Sequence, residues 1–260
     1  MKERILVFAM GGKTVEAGGG SGFQELVEFS RTTPAVLDAD IVGVISGYAD
    51  GAVADKADRL GVEFICWPGP YDAYGYQHHV KKFQADFVMC SGWTKLVQGL
   101  DPKTTWNIHP ALLPEFGGPG MYSHYVHDAV VKAFEEGRIT QSAVTIHAVI
   151  DKGSDKKAYD KGPIMFQFPV PMRKGDTAET LAKRVNEKER AWQAFILDKI
   201  VHHRIWLEGT SEKDWQVYHT CPELRPFVRG RLWSSVSSTL FLDSLSHCDS
   251  PVNWLVILAN

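Results

Sequence analysis

The sequence is poor in cysteine, and its cysteines do not form pairs. The 260 residues contain only Cys66, Cys90, Cys221 and Cys248, which are far apart and form no Cys-x-x-Cys motif. Small domains that depend on disulfide bonds carry many more cysteines, at regular spacings. We therefore expect a reducing, cytoplasmic setting rather than a disulfide framework. The apolar runs around Cys66 and Cys90 predict that both thiols are buried.

The chain also lacks a basic field and a long apolar run. Its formal net charge is -3 and its isoelectric point is about 6.4, which argues against a nucleic-acid partner. The first apolar run, residues 5–10, is too short for the core of a signal peptide and far too short to cross a bilayer. We expect no membrane partner. The length fits one large domain or two small ones.

Short apolar runs rich in β-branched residues alternate with stretches of helical spacing. Such alternation predicts an α/β fold with a doubly wound, mostly parallel sheet, whose ligands bind beyond the carboxyl ends of the strands. The motif Asp176-x-x-Glu179 predicts a capping box at the start of the last helix. Predicted strands are residues 5–10, 41–46, 62–66, 87–90, 143–150 and 164–170, and predicted helices are 23–29, 50–60, 74–83, 127–136 and 177–204.

A glycine-rich loop follows the first predicted strand and precedes the first predicted helix. It contains Gly11 and Gly12 and then the run 18–22. Backbone N–H groups at the start of a helix bind anions, so this arrangement predicts a phosphate site. A P-loop is excluded because Val7 stands where that motif needs glycine, and Phe23 weakens a dinucleotide fingerprint. A flexible loop without a ligand is the alternative.

The segment 106–114 follows the fourth predicted strand and places an amide beside an imidazole. Asn107 and His109 alternate with apolar residues, so both side chains face one side of an extended chain. Prolines bracket the segment and stiffen it. An amide donor beside a titratable imidazole suits oxyanion stabilisation and proton transfer. The alternative is an ordinary turn at a strand end with a hydrogen-bonded histidine.

Other polar residues are candidates for the same site. His124 and His127 follow a glycine- and proline-rich loop, and either one suits a substrate contact. The charged loop 151–161 contains three aspartates that could serve the site: Asp151, Asp155 and Asp160. His147 lies within a predicted strand, where a hydrogen-bonded structural role is the simpler interpretation.

Two motifs resemble those of the folate-dependent formyltransferases. Residues 107–114 read Asn-x-His-Pro-x-Leu-Leu-Pro, and residues 160–163 read Asp-x-Gly-Pro. The order of the motifs and their separation make the resemblance specific, and it covers roughly residues 4–207. It implies a Rossmann-like formyltransferase fold and is strongest to the branch of the family that formylates glycinamide ribonucleotide in purine synthesis.

The resemblance also implies a set of binding residues. Gly20, Ser21 and Gly22 correspond to a Gly-Ser-Asn phosphate loop, although Gly22 replaces the asparagine and residues 11–17 are extra. Glu189 on the last helix corresponds to a glutamate that contacts the nucleotide substrate, and a histidine near His124 belongs to a substrate loop. The segment that receives the pterin of the folate, mainly through backbone groups, corresponds to the residues Thr94, Lys95, Leu96 and Val97.

The reaction implied is transfer of a formyl group from 10-formyltetrahydrofolate, a cosubstrate, to the amine of glycinamide ribonucleotide. Asn107 and protonated His109 would stabilise the oxyanion, and Asp160 would assist proton transfer, directly or through water. No metal is needed. The alternatives are a different acceptor (a nucleotide sugar, methionyl-tRNA or water) and a non-catalytic nucleotide- or folate-binding protein.

The last fifty residues fall outside the resemblance. We expect a formyltransferase domain over residues 1–210 and a C-terminal extension over 211–260. Trp215, Tyr218, Trp233 and Trp254 make the extension too aromatic for a simple disordered linker. The apolar segment 254–258 suits either a last strand or a contact in a homodimer.

Overall fold

The fold is built around a seven-stranded sheet with helices on both faces. A computed structural model of the protein describes residues 1–225 and 227, together with the backbone of 231–232. Trp233, Cys248 and the segment 254–258 lie outside the described residues. The elements are β1 Glu3–Phe8, α1 Ser21–Ser30, β2 Ala39–Ser46, α2 Ala52–Leu60, β3 Phe64–Cys66, α3 Ala73–Phe83, β4 Phe87–Ser91, β5 Thr105–His109, α4 Ser123–Glu135, β6 Gln141–Ala148, β7 Ile164–Pro171, α5 Ala178–Val201, β8 Ile205–Glu208, β9 Gln216–His219 and β10 Arg231–Leu232.

The strand order confirms the predicted doubly wound sheet. The order is β3-β2-β1-β4-β5-β6-β7, with parallel pairing from β3 to β5. The pairs β5–β6 and β6–β7 are antiparallel, so the sheet is mostly parallel. The chain leaves β1 toward one edge of the sheet and returns beside it as β4. A crevice therefore opens beyond the carboxyl ends of β1 and β4.

Strand β1 shows why this sheet is buried on both faces. Its residues Ile5, Leu6, Val7 and Phe8 are all fully buried. Ile5 and Val7 belong to the larger apolar cluster on one face, and Leu6 and Phe8 belong to the cluster on the other. Successive side chains of a strand point to opposite faces, so an unbroken apolar run produces a strand covered on both sides.

Some local predictions were wrong. The N-cap of α5 is Thr177, which forms a capping box with Thr180, whereas Asp176 pairs with Arg184. The helix α4 begins at Ser123, four residues before the predicted start at His127. Cys90 is buried as expected, but Cys66 is exposed because it ends the short edge strand β3.

A smaller sheet packs onto the end of the main fold. Strands β8 and β9 pair in antiparallel register across the predicted boundary at residue 210, and β10 pairs with β9. Val217, Cys221 and Leu224 are buried in the same cluster as the core of the main sheet. The start of the predicted extension is therefore tied to residues 205–208. Within the described part of the chain, no helix is long and apolar enough to span a membrane.

Gly162 should be essential for the position of the loop that contains Asp160. A Cβ at residue 162 would overlap the carbonyl oxygen of Ala148, and backbone atoms cannot move aside cheaply. We expect Gly162→Ala to lower the free energy of unfolding by about 1–3 kcal/mol, the usual cost of overpacking. Urea denaturation measures this, with Lys161→Ala at the exposed neighbour as the control. Equal stabilities of the two variants would contradict the prediction.

Candidate functional site

The crevice at the carboxyl ends of the strands is a cavity of about 960 Å³. Its floor comes from the residues that follow β1, β4 and β5, and its sides come from the start of α4 and one face of α5. Sequence reasoning predicted that Asn107 and His109 face one cavity, and both line this one. The cavity also contains Gly20, Ser21, Gly22, His124, Asp160 and Glu189 from the predicted site.

Three polar side chains that line the cavity, Asn107, His109 and Asp160, form a cluster with a fourth, His147. Asn107 on β5 and His147 on β6 are register partners, and the amide nitrogen of Asn107 lies 3.0 Å from Nε2 of His147. The carboxylate Oδ1 of Asp160 lies 3.4 Å from that Nε2 and 3.7 Å from Nδ1 of His109. The β5–β6 pairing and the loop before β7 thus bring residues that are distant in sequence into one cluster.

Backbone contacts fix the orientation of the two histidines. The ring of His109 has its Nε2 2.8 Å from the carbonyl oxygen of Phe116, and a neutral ring must donate its proton there. Its Nδ1 is then the free base and faces Asp160. In His147, Nδ1 lies 2.9 Å from the carbonyl oxygen of Ala148, which leaves Nε2 for the contacts with Asn107 and Asp160.

His109 is not a preformed cation in the ligand-free protein. Burial lowers the pKa of His109, and this effect outweighs the nearby Asp160 carboxylate, which raises it. The side chain is only 4% exposed, so the charged ring would lose nearly all of its hydration. The imidazole is therefore neutral at pH 7 in the ligand-free protein and can accept a proton.

Asp160 remains a carboxylate despite its burial. Desolvation alone would raise its pKa, but its interactions with the His147 and His109 rings and with the Gly118 N–H lower the pKa below the usual range. The backbone N–H of Gly118 donates to its Oδ2 at 3.0 Å. The backbone of Asp160 has φ +57°, a left-handed conformation that aspartate tolerates better than most residues. These contacts hold an anion beside two imidazoles.

His124 and His127 both line the cavity, at different depths. His124 lies in the first turn of α4, is exposed and contacts the ring of Tyr125. His127 is buried one turn later, and burial lowers its pKa to about 4. His124 is therefore available at the mouth of the cavity, whereas His127 forms part of its wall as a neutral ring.

The predicted phosphate loop forms the N-terminus of α1. Gly20 is the N-cap with φ +72°, a conformation that favours glycine, and Ser21 is the first helical residue. The amide of Asn186 on α5 lies 3.3 Å from the hydroxyl of Ser21. The extra residues 11–17 are closed off by a hydrogen bond from the Gly12 N–H to the Gly18 carbonyl oxygen at 2.7 Å.

Helix α5 faces the loop across the cavity with Glu189 and its neighbours. Burial raises the pKa of Glu189 to about 7, and a hydrogen bond with Asn186 only partly opposes this. Glu189 is therefore no ordinary exposed carboxylate. Arg190 also lines the cavity and pairs with Glu25 of α1 at 3.1 Å. An ionisable acid poised near neutrality commonly marks a binding or catalytic site.

A second, smaller cavity of about 50 Å³ adjoins the first. Lys95, Leu96 and Val97 line it, and Thr94 lines the large cavity. The hydroxyl of Tyr159 lies 3.4 Å from the Thr94 carbonyl oxygen, so the loop before β7 covers this segment. Asn107 and Asp160 line both cavities, which makes them the junction between the two predicted binding regions.

Sequence reasoning missed the position of His147. It was assigned a structural role, and it does form hydrogen bonds, but its partners are Asn107 and Asp160. The only signal was a polar residue in an apolar strand, and the antiparallel register that places it opposite Asn107 was unknown. Neither Asp151 nor Asp155 lines the cavities: Asp151 accepts hydrogen bonds from the N–H groups of Gly99 and Gly153, and Asp155 accepts one from the N–H of Lys157. Among the described residues, no group of three or more potential ligands could hold a metal ion.

Comparisons with known proteins identify relatives of this chain. Residues 13–197 match the family model described as formyl transferase. The chain is 34% identical over 205 residues to the chloroplastic phosphoribosylglycinamide formyltransferase of Arabidopsis thaliana, covering 74% of this chain and 66% of that protein. The corresponding protein of Vigna unguiculata is 31% identical, with 73% and 60% covered. The chain thus spans less than two thirds of the length of these relatives.

A solved structure supports the same assignment. The crystal structure of glycinamide ribonucleotide transformylase 1 from Symbiobacterium toebii superimposes with a TM-score of 0.63 at 26% identity, covering 80% of this chain and 92% of that one. The match to the family model includes Asn107, His109 and Asp160 and most of helix α5. The family model extends over far more than half of the sequence, and the chain therefore belongs to the formyl transferase family.

Proposed function

We propose that the chain transfers a formyl group from 10-formyltetrahydrofolate to the amine of glycinamide ribonucleotide. The observation that carries this proposal is the polar cluster of Asn107, His109, His147 and Asp160, which lies where the two cavities meet. The pterin would lie against the segment 94–97, in the part of the large cavity that Thr94 lines. The large cavity would hold the acceptor between the glycine loop and α5, with its amine directed at the cluster.

The chemistry follows from the protonation states of the cluster. The acceptor amine attacks the formyl carbon, and the carbonyl electrons move to the oxygen. The N–H group of Asn107 can stabilise this oxyanion, an interaction that typically lowers the barrier by about 3–4 kcal/mol. Neutral His109 accepts the proton that the amine releases, and the Asp160 carboxylate then stabilises the imidazolium.

Collapse of the intermediate completes the transfer. The oxyanion reforms the carbonyl, the bond from carbon to N10 of the folate breaks, and N10 takes the proton from His109. The products are the formamide and tetrahydrofolate, and His109 returns to its neutral state. His147 would hold the side chains of Asn107 and Asp160 in place through its Nε2.

Two aspartates on the same loop allow a matched test of this assignment. Asp160→Ala should lower turnover by about two orders of magnitude or more, because the imidazolium would lose its counter-charge. Asp155→Ala should leave turnover nearly unchanged, since Asp155 only accepts a hydrogen bond from the N–H of Lys157. Formyl-transfer kinetics on folded protein measures both. Near-normal turnover of Asp160→Ala would mean that the wrong aspartate was chosen.

The raised pKa of Glu189 should appear in the pH dependence of acceptor binding. With a pKa of about 7, the carboxyl is neutral below that pH and ionised above it. An ionised carboxylate accepts stronger hydrogen bonds, so the KM for the acceptor should fall as the pH rises through about 7. Glu189→Gln should remove this component. The ratio of the wild-type KM to the Glu189→Gln KM cancels the titration of the acceptor itself. A ratio that stays constant with pH would contradict the prediction.

Protein stability offers an independent measure of the same group. The folded protein binds the Glu189 proton more tightly than the unfolded chain, whose glutamate has a pKa of 4.5. The free energy of unfolding should therefore fall as the pH rises from about 4.5 to about 7. Glu189→Gln should reduce that slope.

The glycine loop predicts a preference for phosphorylated acceptors. The N-terminus of α1 offers backbone N–H groups and a favourable dipole to an anion. Each lost charge-assisted hydrogen bond costs about 1.5–3 kcal/mol, so removal of the phosphate should lower kcat/KM tenfold to a hundredfold or more. The test compares glycinamide ribonucleotide with its dephosphorylated nucleoside. Equal values of kcat/KM would point to another acceptor, or to water.

A further inference from the structure

The glycine at position 22 is enclosed by two buried polar side chains. A Cβ on Gly22 would overlap the hydroxyl of Ser91 and lie 2.9 Å from Oε1 of Gln193. Gly22 lies in the first turn of α1, Ser91 ends β4 and Gln193 lies on α5. Three separate elements therefore meet at this point, and the space that a side chain at residue 22 would fill is occupied.

Hydrogen bonds connect the three elements. The Ser91 hydroxyl donates to Oε1 of Gln193 at 3.0 Å, and Nε2 of Gln193 donates to the carbonyl oxygen of Gly22 at 3.3 Å. Gln193 is 1% exposed and Ser91 is 7% exposed. A buried amide must satisfy its hydrogen bonds, and this one does so with the first turn of α1 on one side and the end of β4 on the other.

Gln193 lies on the same helix as Glu189, so its contact with Gly22 connects two parts of the cavity. Gln193 lies one helical turn after Glu189, and Asn186 touches Ser21 one turn before. The same face of α5 thus presents Glu189 to the cavity and contacts the start of α1, which would bind the phosphate. The Gln193 contact sets the separation between these two parts of the acceptor site.

We propose that Gln193, with Ser91, is a positioning residue that holds the phosphate-binding turn at the correct distance from Glu189. The pair also restricts residue 22 to glycine, because Ser91 occupies the space of its side chain. This inference rests on the proposed function, since it assumes that residues 20–22 bind the phosphate of the acceptor. Gln193 itself touches no reacting atom.

The test compares phosphorylated and dephosphorylated acceptors in two proteins. Gln193→Met keeps the length of the side chain but removes both hydrogen bonds. We expect its KM for glycinamide ribonucleotide to rise at least about tenfold, with kcat changed less than about threefold. The ratio of kcat/KM for the phosphorylated acceptor to that for the nucleoside should fall by a similar factor. A general structural defect would lower kcat/KM for both acceptors equally and leave their ratio unchanged.

The outcomes separate this inference from the proposed function. If the wild type shows no preference for the phosphorylated acceptor, the proposed function itself is wrong. If the wild type shows the preference and folded Gln193→Met retains it, the positioning role is overturned. Thermal denaturation of both proteins establishes that the variant is folded.

A second pair of variants tests the steric part without changing Gln193. Gly22→Ala should raise the KM for the phosphorylated acceptor at least about tenfold, because the new methyl group collides with the Ser91 hydroxyl. Ser91→Ala removes that hydroxyl, so Gly22→Ala with Ser91→Ala should bind the acceptor at least about threefold better than Gly22→Ala alone. Such non-additivity is expected only for residues in contact. If the KM increases of the two single variants simply multiply in the double variant, the steric explanation is wrong.

Discussion

The site depends on the position of the Asp160 carboxylate, which contacts His147 and lies near His109. Asp160 is an anion in a largely dehydrated place, and it stays ionised because the Gly118 N–H donates to it and the rings of His147 and His109 lie close to it. A buried charge without such partners would change its protonation state instead. The fold assembles these neighbours of Asp160 from three places, namely β5, the loop after β5 and β6.

The same dehydration determines the protonation state of His109. His109 lies near an anion, which favours the imidazolium, but it is almost completely buried, which favours the neutral ring more strongly. Inspection of the sequence anticipates only the first effect, since a nearby carboxylate can be expected from the motifs whereas the depth of burial cannot. A base that is neutral before the substrate binds suits an attack that releases a proton.

Much of the fold could be predicted because local and global signals agree. The unbroken apolar runs of β1 and β4 indicate strands that are buried on both faces, and that implies helices on either side of a parallel sheet. The pairing register of neighbouring strands, in contrast, could not be predicted from the sequence. His147 faces Asn107 because β6 runs antiparallel to β5, and no local property of either strand determines that pairing. The exposure of Cys66 likewise depends on β3 being an edge strand, which only the strand order reveals.

The departures from the family pattern are absorbed without moving the site. The extra residues 11–17 close on themselves through the Gly12–Gly18 hydrogen bond, so the helix start at Gly20 is retained. Closing a somewhat longer loop costs little free energy, because the entropy of closure grows only with the logarithm of length. The charged loop before β7 is held in a similar way by Asp151, which accepts the Gly153 N–H at 2.7 Å. Insertions that make their own internal bonds need no support from the sheet, and the chain can therefore differ in its loops while Asn107 and Asp160 still line one cavity.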